Sequence, residues 1–181
     1  MIESAPGELE IVRDFINSFA RIDPDRKDSG EVSYAAQWLQ ERGLSSRSIT
    51  KNELAMLKAL REVLRAEILA HNGEGDSEKS WLALGSFLKD AKLLVQIGSQ
   101  PGQIRLVPAA SGSGNSVTAR LLAIMYDAIR LDRWRRLKAC RKHSCVWAFY
   151  DHSKNGSRTW CDMAVCGNRT KAQRRRKRLS L

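Results

Sequence analysis

Four cysteines stand in two pairs in the last third of the chain: Cys140 with Cys145, and Cys161 with Cys166. Four residues lie between the sulfurs of each pair, and fifteen residues separate the pairs. Two short loops of that kind can each bring two thiolates to one ion, which is the donor set of a tetrahedral zinc site. Four protein ligands leave zinc no open position for substrate, so the pattern points to one structural Zn2+ and away from hydrolysis. Thioredoxin-like redox chemistry fits poorly, because it wants two residues between the sulfurs. His143 and His152 are near enough in sequence to replace a cysteine as ligand. With four thiols present, they read instead as surface or supporting groups.

The charge follows the cysteines. From Arg133 to Leu181 there are fifteen Lys and Arg against two acids, Asp151 and Asp162, whereas the remainder holds sixteen bases and eighteen acids. The net charge of +11 therefore belongs to one end of the molecule, whose expected partner is a polyanion. Lys171, Arg174, Arg175, Arg176, Lys177 and Arg178 are too many and too distant to serve the metal alone, and they are assigned to nucleic acid. Arg169 has two readings that stay open: a phosphate contact, or a cation that offsets the formal charge of about −2 on a zinc tetrathiolate. A membrane surface is the other polyanion, but the tail lacks the apolar face an interfacial helix would insert. With no leader-like start and no run of about 18 apolar residues, the chain is expected to stay in the cytoplasm, where clustered cysteines serve as thiolate ligands.

The elements that must position these groups read as mainly α with a small β-hairpin. A helical domain is expected over 1–132, and a small treble-clef- or ribbon-like finger ending in a basic helix over 133–181. Leu9, Ile11, Val12, Phe15, Ile16 and Phe19 mark a first amphipathic helix, and RIDPDRKDSG after it reads as a loop. Ser33 is expected to cap a helix that Gly43 stops. Thr50 and Glu53 form a capping-box pattern before a long helix with Leu54, Leu57, Leu60, Leu64 and Ile68 on one face. A fourth helix is expected from Ser80 to Leu94 through Trp81, Leu82, Leu84, Phe87 and Leu88. Period-two alternation around SQPGQ then predicts a hairpin whose apolar face packs on the helices. Asn115 or Ser116 is expected to cap a last helix reaching about Arg133. Within the finger, VWAFY and RTW read as two strands about the turn DHSKNGS, with Asp151 and Arg158 pairing across it. Trp147, Phe149, Tyr150 and Trp160 form a small core under the metal or, alternatively, a stacking surface for bases.

The segment CRKHSCVWAFYDHSKNGSRTWCDMAVCGNRTKA resembles the CGNR zinc finger, named for the tetrapeptide at Cys166-Gly167-Asn168-Arg169. Phe149, Asp151, Ser153, Asn155, Arg158, Trp160, Met163 and Lys171 extend the likeness beyond the cysteines. The WLQERG stretch, Trp38 to Gly43, is similar to the ABATE domain that precedes this finger in bacterial proteins described as stress-induced transcription regulators. The resemblance implies a DNA-binding transcriptional regulator with Cys140, Cys145, Cys161 and Cys166 on the metal. Its partner would be duplex DNA, with RNA binding or protein interaction by the finger as the alternatives. The N-terminal domain would form a homodimer or sense a small effector. An enzyme is not expected: that domain has one histidine, His71, no cysteine, no phosphate loop and no HExxH.

Overall fold

The structure, a computed structural model, describes residues 3–18, 28–109, 114–145 and 147–172. α1 is Leu9–Asn17, α2 Asp28–Glu41, α3 Lys51–Ala70, α4 Ser77–Asp90 and α5 Gly114–Arg130. β1 (Leu93–Ile97) and β2 (Ile104–Pro108) form one antiparallel hairpin, and β3 (Leu137–Ala139) with β4 (Ala148–Tyr150) another. A 3-10 turn at Trp134–Arg136 leads into β3. Met163–Gly167 is a π-turn that continues as α-helix over 168–172. Among the described residues, no helix is long and apolar enough to cross a membrane.

α3 is the central strut. Thr50 accepts from the backbone N–H of Glu53, and the Glu53 carboxylate returns to the Thr50 N–H at 2.8 Å, so the predicted capping box is present. Those bonds, with one from the Gly114 N–H, outweigh burial and hold the Glu53 carboxyl down at about 2. The box thus also anchors the start of α5. Leu54, Leu57, Leu60, Leu64 and Ile68 are all buried, as the spacing predicts. They meet Val12, Phe15 and Ile16 of α1 and Val117, Leu121 and Leu122 of α5 in one core.

WLQERG is a helix terminator. Trp38 and Leu39 are buried, Arg42 stacks over the Trp38 ring at 4.2 Å, and Gly43 takes the left-handed conformation (φ +64°) that ends the helix. α2 begins at Asp28, upstream of the expected Ser33 cap. Most of the predicted loop over 21–30, together with Phe19, lies outside the described residues.

α4 corrects the sequence reading at both ends. Its cap is Asp76, whose carboxylate accepts from the Lys79 N–H at 3.1 Å, and the helix stops at Asp90, which releases Leu93 to β1. Of the expected stripe only Leu84 is buried, one turn from the buried Ser80, while Trp81, Leu82 and Leu88 are exposed. Contact with α3 is thus narrower than the apolar pattern implies. The first hairpin departs in the same way. Its register pairs Val95 with Leu106 and Ile97 with Ile104, but Val95 is 69% and Ile97 80% exposed. Only the end at Leu93 and Leu106–Pro108 reaches the body, and the tip carries its apolar face into solvent. α5 starts at Gly114 and not at an Asn115 or Ser116 cap.

Glu67 shows how α3 carries the finger. The carboxylate is 2% exposed and receives Ser80 Oγ at 2.6 Å, Ser77 Oγ at 2.9 Å and Trp81 Nε1 at 3.0 Å. His71 Nε2 lies 3.2 Å from it, and His71 Nδ1 bonds the Leu137 carbonyl of β3 at 2.7 Å. Burial raises the Glu67 carboxyl, but the bonds from His71, Ser80 and Ser77 prevail and hold it at about 2, below its ordinary 4.5. A depressed carboxyl contributes stability that is complete above the unfolded value and lost as pH falls from there through the folded one. Acid unfolding is therefore expected to begin as pH drops below about 4.5. Glu67→Gln should lower stability at neutral pH by about 2 to 4 kcal/mol and flatten that acid limb, measured by urea denaturation across pH.

Candidate metal centre

Cys140 stands at the end of β3, where its N–H donates to Trp147 O at 2.8 Å and keeps the hairpin closed behind it. A tight turn follows, fixed by Cys145 N–H to Lys142 O at 2.8 Å, and returns the chain to β4. The second pair is shaped by Asp162. Its carbonyl accepts from Cys166 N–H at 2.9 Å, and its carboxylate caps the π-turn through Val165 N–H at 2.8 Å. Gly167 lets Met163 and Trp160 pack against the turn: a β-carbon there would lie 2.3 Å from Met163 Sδ and 3.1 Å from Trp160 Cδ1, so the Met163 side chain would have to swing away.

These turns bring the four sulfurs within 4.8 Å of one another. Cys145 Sγ is 3.6 Å from Cys161 Sγ, which is 3.8 Å from Cys166 Sγ. A tetrahedron with zinc–sulfur bonds of about 2.3 Å places its corners about 3.8 Å apart, whereas a disulfide needs about 2.05 Å. The four thiols are free, and the donor set fits one zinc ion. Cys140, Cys161 and Cys166 are buried, as structural ligands should be.

Without an ion, this many sulfurs cannot all ionise. A bond from the Cys161 thiol holds Cys140 down at about 5, against burial and with help from the backbone N–H groups of Cys161 and Lys142. Its neighbours respond in the opposite sense. Cys161 is pushed far up, chiefly by its bond to Cys140 and then by burial, and burial first and the Cys145 thiol second push Cys166 to about 11. A divalent cation reconciles four thiolates by supplying the charge they lack, and the two backbone N–H groups aimed at Cys140 are already placed to share it.

Beneath the sulfurs, Phe149 is fully buried, and Trp147 and Trp160 pack partly buried against the same cluster. The core reading of the aromatics therefore holds for Phe149, while Tyr150 belongs to the helical core. The expected second strand at Arg158–Trp160 is absent. β4 pairs instead with β3, with Leu137 opposite Tyr150 and Lys138 opposite Phe149. The backbone at 158–159 is claimed by other partners: Arg158 N–H by Asp151 at 2.8 Å, and Thr159 O by Arg141 N–H at 3.1 Å and Asn72 Nδ2 at 3.2 Å.

The predicted Asp151–Arg158 pairing forms through the Arg158 backbone N–H and not through its guanidinium. Asp151 is wholly buried and pairs with Lys138 Nζ at 2.8 Å, while also accepting Ser153 N–H and Oγ at 2.9 and 2.6 Å. Burial works against its charge, yet the Lys138 and Ser153 bonds leave its carboxyl below the usual range. Lys138 also donates to the carbonyls of Gly156 and Arg158, so one ammonium gathers the whole loop. The Arg158 guanidinium turns to the carbonyls of Trp160 and Cys161 and lies 5.3 Å over the Phe149 ring.

Of the proposed nucleic-acid residues, Arg169 and Lys171 are exposed on the helix that leaves Cys166, and Arg174, Arg175, Arg176, Lys177 and Arg178 lie outside the described residues. Several other bases of the segment are engaged internally. Arg136 holds Asp151 O and Ser153 O, Arg141 pairs with Glu74 at 2.5 Å, and Lys138 and Arg158 are accounted for above. His152 binds Ser4 O at 2.8 Å and His143 is exposed, so neither joins the sulfurs.

Two residues the sequence reading did not single out tie the centre to the helices. Asn17 clamps the Ala148 peptide from both sides, at 2.9 Å to its carbonyl and 2.8 Å from its N–H, and Asn72 donates to Ala139 O at 2.7 Å. Neither has a sequence signature beyond its place at a helix end. Trp134, Leu137, Ala139, Ala148 and Tyr150 join the same core as α1, α3 and α5, so residues on both sides of position 132 share one interior.

Four convergent cysteine sulfurs, three of them buried, closed by two turns and backed by an aromatic residue, define a structural zinc finger. The family model described as CGNR zinc finger matches residues 136–179, which span the whole centre. No curated protein matches the chain.

Proposed function

We propose that the protein is a zinc-dependent DNA-binding regulator of transcription. The observation that carries this reading is the helix over 168–172, which grows directly out of the Cys166 turn with Arg169 and Lys171 exposed, and which the basic sequence 174–178 follows in the chain. The metal fixes the root of that helix, so a cationic stretch that would repel itself as a free tail starts from a rigid base. The likeness of WLQERG to the ABATE domain supports a bacterial regulator. The role of that motif in ending α2 is structural and independent of any signal.

Binding to duplex DNA should show a slope of log K against log salt near −4.5, from about five phosphates. Changing Arg174, Arg175 and Arg178 together to Ala should weaken binding and reduce the slope by about 2.7, because each lost phosphate contact removes about 0.9. Fluorescence anisotropy over a salt series reads both. An unchanged slope would move the contact elsewhere, and RNA that displaces duplex DNA at equal salt would favour the RNA reading.

A further inference from the structure

Two asparagines of the chain are followed by glycine, Asn72-Gly73 and Asn155-Gly156. In that dipeptide the asparagine side chain is open to attack by the next backbone nitrogen, because glycine has no β-carbon to stand in the way. The two glycines are alike in this respect. Gly73 (φ +75°) and Gly156 (φ +58°) each turn the side a β-carbon would occupy toward open space, with nothing within 4 Å. What separates the two sites is the asparagine.

Asn72 is 8% exposed, and its Nδ2 donates to Ala139 O at 2.7 Å and to Thr159 O at 3.2 Å. The amide that would have to rotate and leave is therefore the clamp between the end of α3 and the metal hairpin. Asn155 stands at the third position of a turn closed by Gly156 N–H to Ser153 O at 3.1 Å. It is exposed, and its side chain meets no hydrogen-bond partner among the described residues. Only the turn bond restrains the attacking nitrogen, and a brief local opening frees it.

We propose that Asn155 is a site of spontaneous covalent modification, losing its side-chain amide in the folded protein to become aspartate and isoaspartate while Asn72 is preserved. Gly156 N bonds to Asn155 Cγ and the Cγ–Nδ2 bond breaks. Ammonia leaves with the proton that Gly156 N gives up, and a five-membered imide remains. Water then opens the imide at the side-chain carbonyl to give aspartate, or at the backbone carbonyl to give isoaspartate. Nothing is oxidised or reduced, and water is the sole co-reactant.

The two products differ in consequence. Isoaspartate lengthens the backbone by one methylene inside a turn whose atoms hold the buried ion pair. Gly156 O accepts from Lys138 Nζ, and Ser153 Oγ, which receives Ser157 N–H at 3.1 Å, donates to Asp151 at 2.6 Å. The inserted carbon therefore pulls on the Lys138–Asp151 pair, whereas aspartate adds only an exposed charge. The site goes beyond the DNA reading and does not depend on it.

The test holds the full-length zinc-loaded protein in mildly alkaline buffer, well below its melting temperature, and follows both dipeptides by peptide mass mapping. An isoaspartate-specific methyltransferase counts the rearranged product. Conversion of Asn155 should exceed that of Asn72 by about tenfold or more, since two hydrogen bonds must first be broken at Asn72. In urea the two should convert at similar rates, because the contrast belongs to the fold. Asn155→Ser should abolish the modification at this position, and freshly purified Asn155→Asp should melt with the unmodified protein while the isoaspartate fraction melts lower. Equal conversion of Asn72 and Asn155 in the folded protein, no conversion of Asn155 until the chain unfolds, or an isoaspartate fraction that melts with fresh protein would each overturn the proposal.

Discussion

Stripping zinc from the reduced protein should destabilise the helical body as well as the finger. The short β3–β4 hairpin has three paired positions, far too little to persist alone, and the ion is what closes the loops on either side of it. In small zinc domains the metal contributes roughly 10 to 16 kcal/mol of apparent free energy, comparable to the whole stability of an ordinary domain. Here the hairpin is also wall to the main core, through Leu137, Ala139, Ala148 and Tyr150. Its release would uncover the ends of α1 and α3, where Asn17, His71 and Asn72 hold its backbone. Elemental analysis should find one zinc per chain, and chelator should lower the melting temperature of the bulk helical signal, with loss of DNA affinity in parallel. Cys166→Ser should reproduce the effect in part. A protein whose helical melting is indifferent to chelator would show that the core closes without the centre.

The second large effect is expected at Lys138 and Asp151, and it should be unequal. Removing one member of a buried ion pair costs about 3 to 5 kcal/mol, because the other charge is left without compensation. Lys138→Met leaves Asp151 with three remaining donors, from Ser153 N–H, Ser153 Oγ and Arg158 N–H. Asp151→Ala strands an ammonium whose other partners are two neutral carbonyls and also orphans those three donors. Asp151→Ala should therefore be the more damaging, and the double change should cost clearly less than the sum. Denaturant titration of the three variants, each checked for zinc content, gives the cycle. Equal and additive losses would mean that the pair does not act as a unit.

What could be read in advance divides along physical lines. The ligands were legible because a metal fixes donor type and spacing, and local sequence carries both. The Thr50–Glu53 box and the α3 stripe were legible for the same reason, since a helix repeats within a few residues. The hairpin partner of β4 was not. VWAFY and RTW have strand-like composition, but pairing is decided by which backbone groups remain unclaimed, and Asn72, from a helix end 67 positions before Ala139, claims two of them. Asp151 likewise had a nearby Arg158 in sequence, yet the buried partner was Lys138, whose reach depends on the β3–β4 register. The charge block was legible as a sum and misleading as a surface: Arg136, Lys138 and Arg158 are spent on carbonyls and on Asp151 within the finger, and Arg141 is paired with Glu74 at the surface. Exposure of Val95 and Ile97 was equally invisible, because alternation reveals two faces without saying whether anything covers either.

The sharing of one interior between the helices and the metal hairpin has a consequence for biosynthesis. A ribosome releases α1 and α3 long before it has made Leu137 or Tyr150, so the nascent helices must wait with an unfinished wall until the cysteines emerge and capture an ion. On the expectation that zinc closes the core, supply of the metal becomes a checkpoint on maturation of the entire polypeptide, and a cell short of zinc would accumulate half-closed chains open to proteolysis.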